Sequence, residues 1–139
     1  MHLTMFTDFG LRTLMFVAAN PGRLCSVKEI SGAYGISRNH LVKVVHRLGQ
    51  LNYVETVKGR GGGIRLARPA EEMRLGDLIQ TLEANMILVE CFDSATNTCL
   101  ITNTCQLKHY LHDAKQAFLS SLNEHTLADT VKNRELLSR

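Results

Sequence analysis

The sequence predicts a mainly α-helical protein with a small β-hairpin wing, that is, a winged helix-turn-helix followed by a long C-terminal helix. Two helical patterns joined by a short turn that contains glycine are typical of a helix-turn-helix. A hairpin pattern with four glycines in its loop follows the second of these helices and predicts the wing. Further along, apolar residues recur every three or four positions, which predicts a long amphipathic helix.

The first helix is predicted within residues 7–19, ahead of the helix-turn-helix. Its apolar residues recur with helical spacing at Leu11, Leu14, Met15 and Ala18. The pattern ends at Asn20-Pro21-Gly22, because proline and glycine interrupt helices. A second helix is predicted to begin at Ser26-Val27-Lys28-Glu29, a capping box in which serine and glutamate satisfy each other's free backbone N–H groups.

The turn of the helix-turn-helix is predicted at Gly35, which follows the end of the second helix at about Tyr34. Ser37 is then expected to cap the third helix. The apolar face of this third helix consists of Leu41, Val44, Val45 and Leu48.

The wing is predicted from two segments rich in β-branched and aromatic residues. They cover residues 53–57 and 64–66, and the loop between them is 58–63. Glycines between two strands do not form a nucleotide phosphate loop, since no helix and no Gly-Lys-Ser/Thr follows them. A further amphipathic helix is predicted from Arg74 to Leu82.

Basic residues are concentrated in one part of the chain. Between residues 23 and 68, nine lysines and arginines face two glutamates, a net charge of +7, whereas the rest of the chain carries −4. A basic segment within an otherwise acidic protein indicates a polyanionic partner that this segment alone contacts.

The third helix and the hairpin loop carry side chains suited to double-stranded DNA. Arginine reads guanine, asparagine reads adenine and lysine neutralises phosphate. Because the start of a recognition helix reaches deepest into the major groove, we expect Arg38 and Asn39 to contact bases. The predicted DNA-binding residues are Ser37, Arg38, Asn39, His40, Lys43, Lys58, Arg60 and Arg65, and the predicted partner is operator DNA.

The chain is predicted to have three parts. Residues 1–83 form the winged helix-turn-helix DNA-binding domain, 84–105 an irregular loop, and 106–139 a dimerisation helix with a short C-terminal helix that starts near Thr126. Because the long helix follows a complete domain, we expect its apolar seam to join two copies of the chain. The seam consists of Leu107, Leu111, Ala114, Phe118 and Leu122.

Three of the four cysteines lie in the 84–105 segment. No secretory signal and no membrane-spanning run is evident, so we expect a cytoplasmic protein with reduced thiols and no membrane contact. Cys91-x7-Cys99-x5-Cys105 lacks the Cys-x2-Cys pair that is typical of structural zinc, whereas soft thiolates suit an iron–sulfur cluster. We predict such a cluster on these three cysteines, with a zinc- or thiol-based DNA-binding regulator as the alternative.

Three thiolates leave one iron of a four-iron cluster without a cysteine ligand. The candidates for this position are Cys25, Asp8, His109 and water or another small molecule. Cys25 is expected to be a small buried side chain and Asp8 a favourable carboxylate at a helix start, so the residues alone leave the choice open. The six histidines are scattered and no nucleophile is paired with a base, so no enzymatic activity is predicted.

Several stretches together form a specific pattern: Leu3-Thr4 with 7–12, then 34–41, 54–66 and the three-cysteine loop. With them the sequence resembles the winged-helix iron–sulfur repressors, the family that includes NsrR, IscR and RirA. The likeness covers nearly the whole chain, through residues 126–129.

Within this family, Ser37-Arg38-Asn39-His40 and Asp8 resemble the nitric-oxide-sensing NsrR type. The resemblance implies a homodimeric repressor, a 4Fe–4S cluster (2Fe–2S as the alternative) and Asp8 of the partner subunit as the fourth ligand. The RirA type shares the cysteine spacing of this sequence. The IscR type uses a histidine close after the third cysteine as a ligand. The corresponding residue here would be His109, but its distance from Cys105 differs from that spacing. An iron- or redox-responsive regulator is therefore the alternative function.

Overall fold

The computed structural model describes residues 1–133, and that range contains five α-helices and one two-stranded sheet. The helices are α1 (Met5–Ala19), α2 (Val27–Tyr34), α3 (Arg38–Gln50), α4 (Leu75–Leu82) and α5 (Gln106–Asn123). The antiparallel strands β1 (Val54–Val57) and β2 (Gly63–Leu66) pair between α3 and α4. Short 3-10 helices lie at Ala70–Glu72, Glu90–Phe92 and Ala128–Val131. This order confirms the predicted mainly α-helical fold with a hairpin wing.

Local signals in the sequence set the ends of the helix-turn-helix. The Ser26 hydroxyl accepts a hydrogen bond from the Glu29 N–H (3.1 Å), and the Glu29 carboxylate accepts one from the Ser26 N–H (2.9 Å). Gly35 takes the left-handed conformation (φ 64°) that favours glycine. The Ser37 hydroxyl accepts from the His40 N–H (3.3 Å) and caps α3. The predicted capping box, turn and cap are all confirmed.

The hydrophobic core lies between α1, α3, α4 and the hairpin. Helix α3 buries the four predicted residues, Leu41, Val44, Val45 and Leu48. On α1, Leu14 and Ala18 of the predicted stripe are buried as expected, whereas Leu11 and Met15 are only half-buried and Gly10 and Val17 are buried in addition. Gly10 packs closely on α4, because a Cβ at this position would lie 3.0 Å from Cδ1 of Leu82.

Backbone hydrogen bonds outside the hairpin fix the position of the wing. Cys25 and Ile64 exchange them, with N···O distances of 2.9 Å and 2.8 Å, so residue 25 forms an isolated antiparallel bridge on the outer edge of β2. Gly63 lies against the same segment, and a Cβ there would lie 2.6 Å from the Cys25 carbonyl oxygen. The wing is thus joined directly to the chain that enters α2.

The region after α4 is less buried. As predicted, residues 84–105 contain no α-helix and no strand, only the 3-10 turn at Glu90–Phe92. Helix α5 buries Leu119 and packs along α4. The expected C-terminal helix is a 3-10 turn at Ala128–Val131, while 134–139 of the predicted third part lie outside the described residues.

Candidate DNA-binding surface and cysteine loop

The exposed side of α3 presents the residues that the sequence predicts for DNA binding. Arg38, Asn39, His40 and Lys43 are all solvent-exposed, on the side opposite the buried face. The ring of His40 stacks on Phe9 of α1, with ring centroids 6.2 Å apart. The start of α3 is therefore open to a ligand and is supported from behind by α1.

The hairpin loop carries two exposed cations, Lys58 and Arg60. Gly59 and Gly61 have φ values of 99° and 75°, a conformation that side chains with a Cβ rarely adopt. Arg65 differs from the loop cations, because its Nε donates to the Glu55 carboxylate at 2.9 Å across the strand pair. A phosphate would have to compete with Glu55 for Arg65.

The three predicted ligand cysteines, Cys91, Cys99 and Cys105, are half-buried free thiols. Cys91 lies beside a cavity of about 480 Å³ whose lining includes Phe92, Lys108 and His112. Within residues 1–133, no three His, Cys, Asp or Glu side chains are close enough to hold a single metal ion. The fourth cysteine, Cys25, is fully buried, and burial raises the pKa of its thiol, which disfavours a thiolate ligand there.

Asp8, the predicted fourth ligand, lies in the first turn of α1 with its side chain 42% exposed. Both carboxylate oxygens contact Arg12, at 3.0 Å to Nε and 2.8 Å to Nη2. The Arg12 guanidinium also lies over the ring of Tyr34, 5.9 Å from its centroid. Asp8 is therefore accessible to a second copy of the chain, although its charge is paired. The other candidate, His109, is exposed on α5.

The predicted dimerisation seam is only partly covered by its own chain. Leu107 and Phe118 are 61% and 39% exposed, Ala114 is exposed, and Leu111 and Leu122 are half-buried. The neighbouring Leu119 is turned the other way and is buried against α4. Helix α5 thus has one face on its own chain and one apolar face open to solvent.

Sequence reasoning did not identify two charged residues that the structure places near these sites. Arg12 pairs with Asp8, and its spacing of four residues on one helix is a signal that was available. Glu83 is buried against the start of α1, where its partners, Thr4 and Thr7, lie more than 70 positions away. No local pattern predicts that contact.

Comparison with known proteins places the chain in a family. The Rrf2 family, described as iron-dependent transcriptional regulators, matches residues 3–133. The chain is a member of the Rrf2 family. It is 50% identical over 136 residues to the HTH-type transcriptional regulator NsrR of Bacillus subtilis, covering 97% of this chain and 93% of that protein. Another NsrR, from Shouchella clausii, is 47% identical and covers 97% and 91% of the two chains.

Solved structures of Rrf2-like regulators share this fold. The oxidised form of Staphylococcus aureus CymR has a TM-score of 0.74 and 25% identity, with coverage of 95% of this chain and 97% of that one. T. potens IscR has a TM-score of 0.75 and 23% identity, with coverage of 100% and 92%. These matches confirm the predicted fold, and the named relatives confirm the predicted resemblance to the NsrR type.

The family assigns a function at the level of its relatives. This Rrf2 protein is a DNA-binding transcriptional regulator and not an enzyme, as the sequence predicted. Among residues 1–133, none of the helices has the length and apolar character needed to cross a membrane.

Proposed function

We propose that this Rrf2 regulator is a homodimeric repressor whose affinity for operator DNA depends on an iron–sulfur cluster held by Cys91, Cys99 and Cys105, with nitric oxide as the signal. One observation carries the proposal. Three free, half-buried thiols share one irregular segment between the winged domain and α5, in a chain 50% identical to an NsrR. Such a protein works in the cytoplasm, where thiols stay reduced.

The donor set supports a cluster. Thiolates are soft ligands, and a cluster spaces them more widely than a tetrahedral ion does. The spacing Cys91-x7-Cys99-x5-Cys105 also lacks the Cys-x2-Cys pair of structural zinc sites, which favours the cluster over zinc. When bound, the cluster, 4Fe–4S in this proposal, supplies iron that nitric oxide can attack.

In this proposal, binding of the cluster orders the 84–105 segment. No side chain of this segment is buried, so the segment has little core of its own, and the free energy of ligand binding becomes folding free energy there. We assign the remaining ligand position to Asp8 of the partner subunit, since Asp8 is exposed at the start of α1. A carboxylate is a hard ligand on soft iron, which makes it the weakest contact of the set.

The proposed DNA contacts are of two kinds, to bases and to the phosphate backbone. Arg38 and Asn39, at the exposed start of α3, contact bases, while Ser37 and Lys43 contact phosphates. His40 supports this end of the helix through its stacking on Phe9. The wing residues Lys58, Arg60 and Arg65 contact the neighbouring backbone or the minor groove.

The open apolar face of α5 supports a dimer. A second copy of the chain covers Leu107, Leu111, Ala114, Phe118 and Leu122 in a parallel or antiparallel pair. Dimerisation sets the two recognition helices about 34 Å apart, one turn of DNA.

Iron is the second candidate signal, because the matching family is described as iron-dependent. In that case loss of iron, rather than reaction with nitric oxide, releases the DNA.

The test is an anaerobic titration. Anaerobically purified protein is assayed for iron and sulfide, and a DNA fragment selected by this protein from a random library serves as the probe. Nitric oxide is then added in steps, and in parallel an iron chelator, while DNA binding is followed. We expect DNA release at a few nitric oxide molecules per cluster and slower release with the chelator.

Matched cysteine variants supply the control. Cys91→Ala should lose iron, sulfide and tight DNA binding, whereas Cys25→Ala removes a buried thiol outside the loop and should keep the iron and sulfide content. A colourless, zinc-loaded protein would contradict the cluster. Full DNA binding after excess nitric oxide, with release by the chelator, would favour iron as the signal.

A further inference from the structure

Glu83 is the only charged side chain that is buried among residues 1–133. It follows α4 directly, and its N–H donates to the Ile79 carbonyl oxygen (2.8 Å). The functions assigned above do not use this residue. A buried carboxylate is costly unless its oxygens are hydrogen-bonded, so its partners indicate why it is there.

Within residues 1–133, the hydrogen-bond partners of the Glu83 carboxylate all belong to the start of α1. One oxygen, Oε2, accepts hydrogen bonds from the Thr7 hydroxyl (2.7 Å), the Thr4 N–H (3.0 Å) and the Thr4 hydroxyl (3.2 Å). Thr4 is itself the N-cap residue of α1 and accepts from the Thr7 N–H. We call Glu83, Thr4 and Thr7 the Glu83 clamp.

The hydrogen bonds of the clamp favour the ionised form of the Glu83 carboxylate. Burial acts to raise the pKa of Glu83, but the hydrogen bonds from Thr7 and Thr4, helped by the charge of His2, outweigh burial and hold the pKa below its ordinary value. Charge-assisted hydrogen bonds of this kind are about twice as strong as neutral ones.

The clamp joins two segments that serve different cluster sites. On one side, Ala84 opens the segment that contains Cys91, so Glu83 fixes the base of the protomer's own cysteine loop. On the other side, the Asp8 N–H donates to the Thr4 carbonyl oxygen (3.0 Å), one turn from the clamp. If Asp8 serves the partner's cluster, each clamp lies between the protomer's own loop and the ligand it offers to its partner.

We propose that the Glu83 clamp couples the two cluster sites of the dimer, so that loading one site favours loading the other. The inference rests on the proposed function. Ordering the 84–105 segment in one protomer holds Glu83 in place, Glu83 holds the first turn of α1, and that turn presents Asp8 to the partner. The second site then needs less ordering than the first, which is positive cooperativity.

The distribution of clusters over dimers tests this coupling. Apo protein is given limiting iron and sulfide anaerobically, and native mass spectrometry counts dimers with zero, one and two clusters. With independent sites, about half of the dimers carry one cluster at half loading, and a ten-fold coupling lowers this fraction to about one quarter. We expect the lower fraction for the natural sequence and the higher one for Thr7→Val.

Three further variants separate coupling from general stability. Thr7→Ser keeps the hydroxyl and should restore the natural distribution. Thr13→Val removes another buried hydroxyl of α1, one that donates to the Phe9 carbonyl oxygen outside the clamp, and should leave the distribution unchanged. Glu83→Gln replaces Thr7→Val if the latter does not fold. In the apo state, hydrogen exchange should rise at the hydrogen-bonded N–H groups of residues 4, 7 and 8 in the clamp variants and not in Thr13→Val.

Each outcome of this experiment either supports or overturns the coupling. An independent distribution in the natural sequence overturns the coupling, as does an unchanged distribution in Thr7→Val or Glu83→Gln, while the proposed function stands because clusters are bound. Absence of any cluster in the natural sequence overturns the proposed function and the coupling with it.

Discussion

Residues 1–83 contain most of the buried core, whereas no residue of 84–105 is fully buried. The winged domain is held by helix packing, caps and a short sheet. The 84–105 segment is held by polar turns, such as the hydrogen bonds from the Cys99 N–H (3.1 Å) and the Thr102 hydroxyl (3.2 Å) to the Asn97 side-chain oxygen. Such part-buried polar contacts stabilise less than a packed core, so we expect this segment to be less stable than the winged domain. The difference separates a domain with a packed core from a segment without one.

The largest expected effect is a loss of stability when the core of residues 1–83 is disrupted. Leu14→Ala empties a fully buried position of α1 and should lower the free energy of unfolding by about 2–5 kcal/mol. Leu100→Ala, in the cysteine segment, removes a fully exposed side chain and should change it by less than about 0.5 kcal/mol. Urea unfolding of the apo protein measures both. Equal losses would show that the segment has a core of its own.

The next effect concerns the contact between α4 and α5, the two helices that flank the 84–105 segment. Gly76 of α4 lies against the Leu119 carbonyl of α5, and a Cβ there would collide with that oxygen. Gly76→Ala should therefore displace α5 and cost about 1–3 kcal/mol. Gly32→Ala is the control, because no heavy atom lies within 4 Å of the Cβ it would add. Unfolding followed by circular dichroism distinguishes them, and an equal loss in both variants would argue against this contact.

The third prediction concerns acid stability. The pKa of Glu83 is below its ordinary value in the folded protein, so its contribution is present above the unfolded pKa and is lost as the pH falls through the folded pKa. Glu83→Gln should cost about 2 kcal/mol at neutral pH and less in acid. Unfolding free energies measured from pH 7 down to acid pH test this. A loss that does not depend on pH would contradict an ionised Glu83.

The smallest effect concerns a single phosphate contact. Lys43→Ala should weaken DNA binding for all sequences alike and lower the slope of log affinity against log salt by about 1. Arg38→Ala should instead relax the preference for particular bases. Binding titrations at several salt concentrations, on selected and scrambled DNA, separate the two effects. A loss of base preference in Lys43→Ala would reassign this residue to base contacts.

The sequence predicted the elements well where local chemistry decides them. The capping box at Ser26, the turn at Gly35 and the cap at Ser37 depend on a few neighbouring residues, and all three are present. The buried face of α3 was also predicted in full, because its hydrophobic period is unambiguous. On α1, two of the four predicted residues are buried, and the additional burial of Gly10 depends on Leu82, a residue distant in sequence.

The candidate site was predicted as a set of residue types, and the tertiary structure decided their environment. Cys25 and Cys91 are the same residue type, yet one is buried behind the wing and the other is half-buried beside a cavity. The pairing of Arg65 with Glu55 follows from strand register, which the sequence does not state.

The sequence by itself determined the family, the helix-turn-helix, the wing and the three-cysteine segment, because each depends on spacing along the chain. Only the tertiary structure showed that Glu83 reaches back to Thr4 and Thr7, and that α5 has one face packed on α4 and one apolar face open. Contacts of that kind depend on how whole helices pack. Their energy comes from burial and hydrogen bonds between residues that the sequence places far apart.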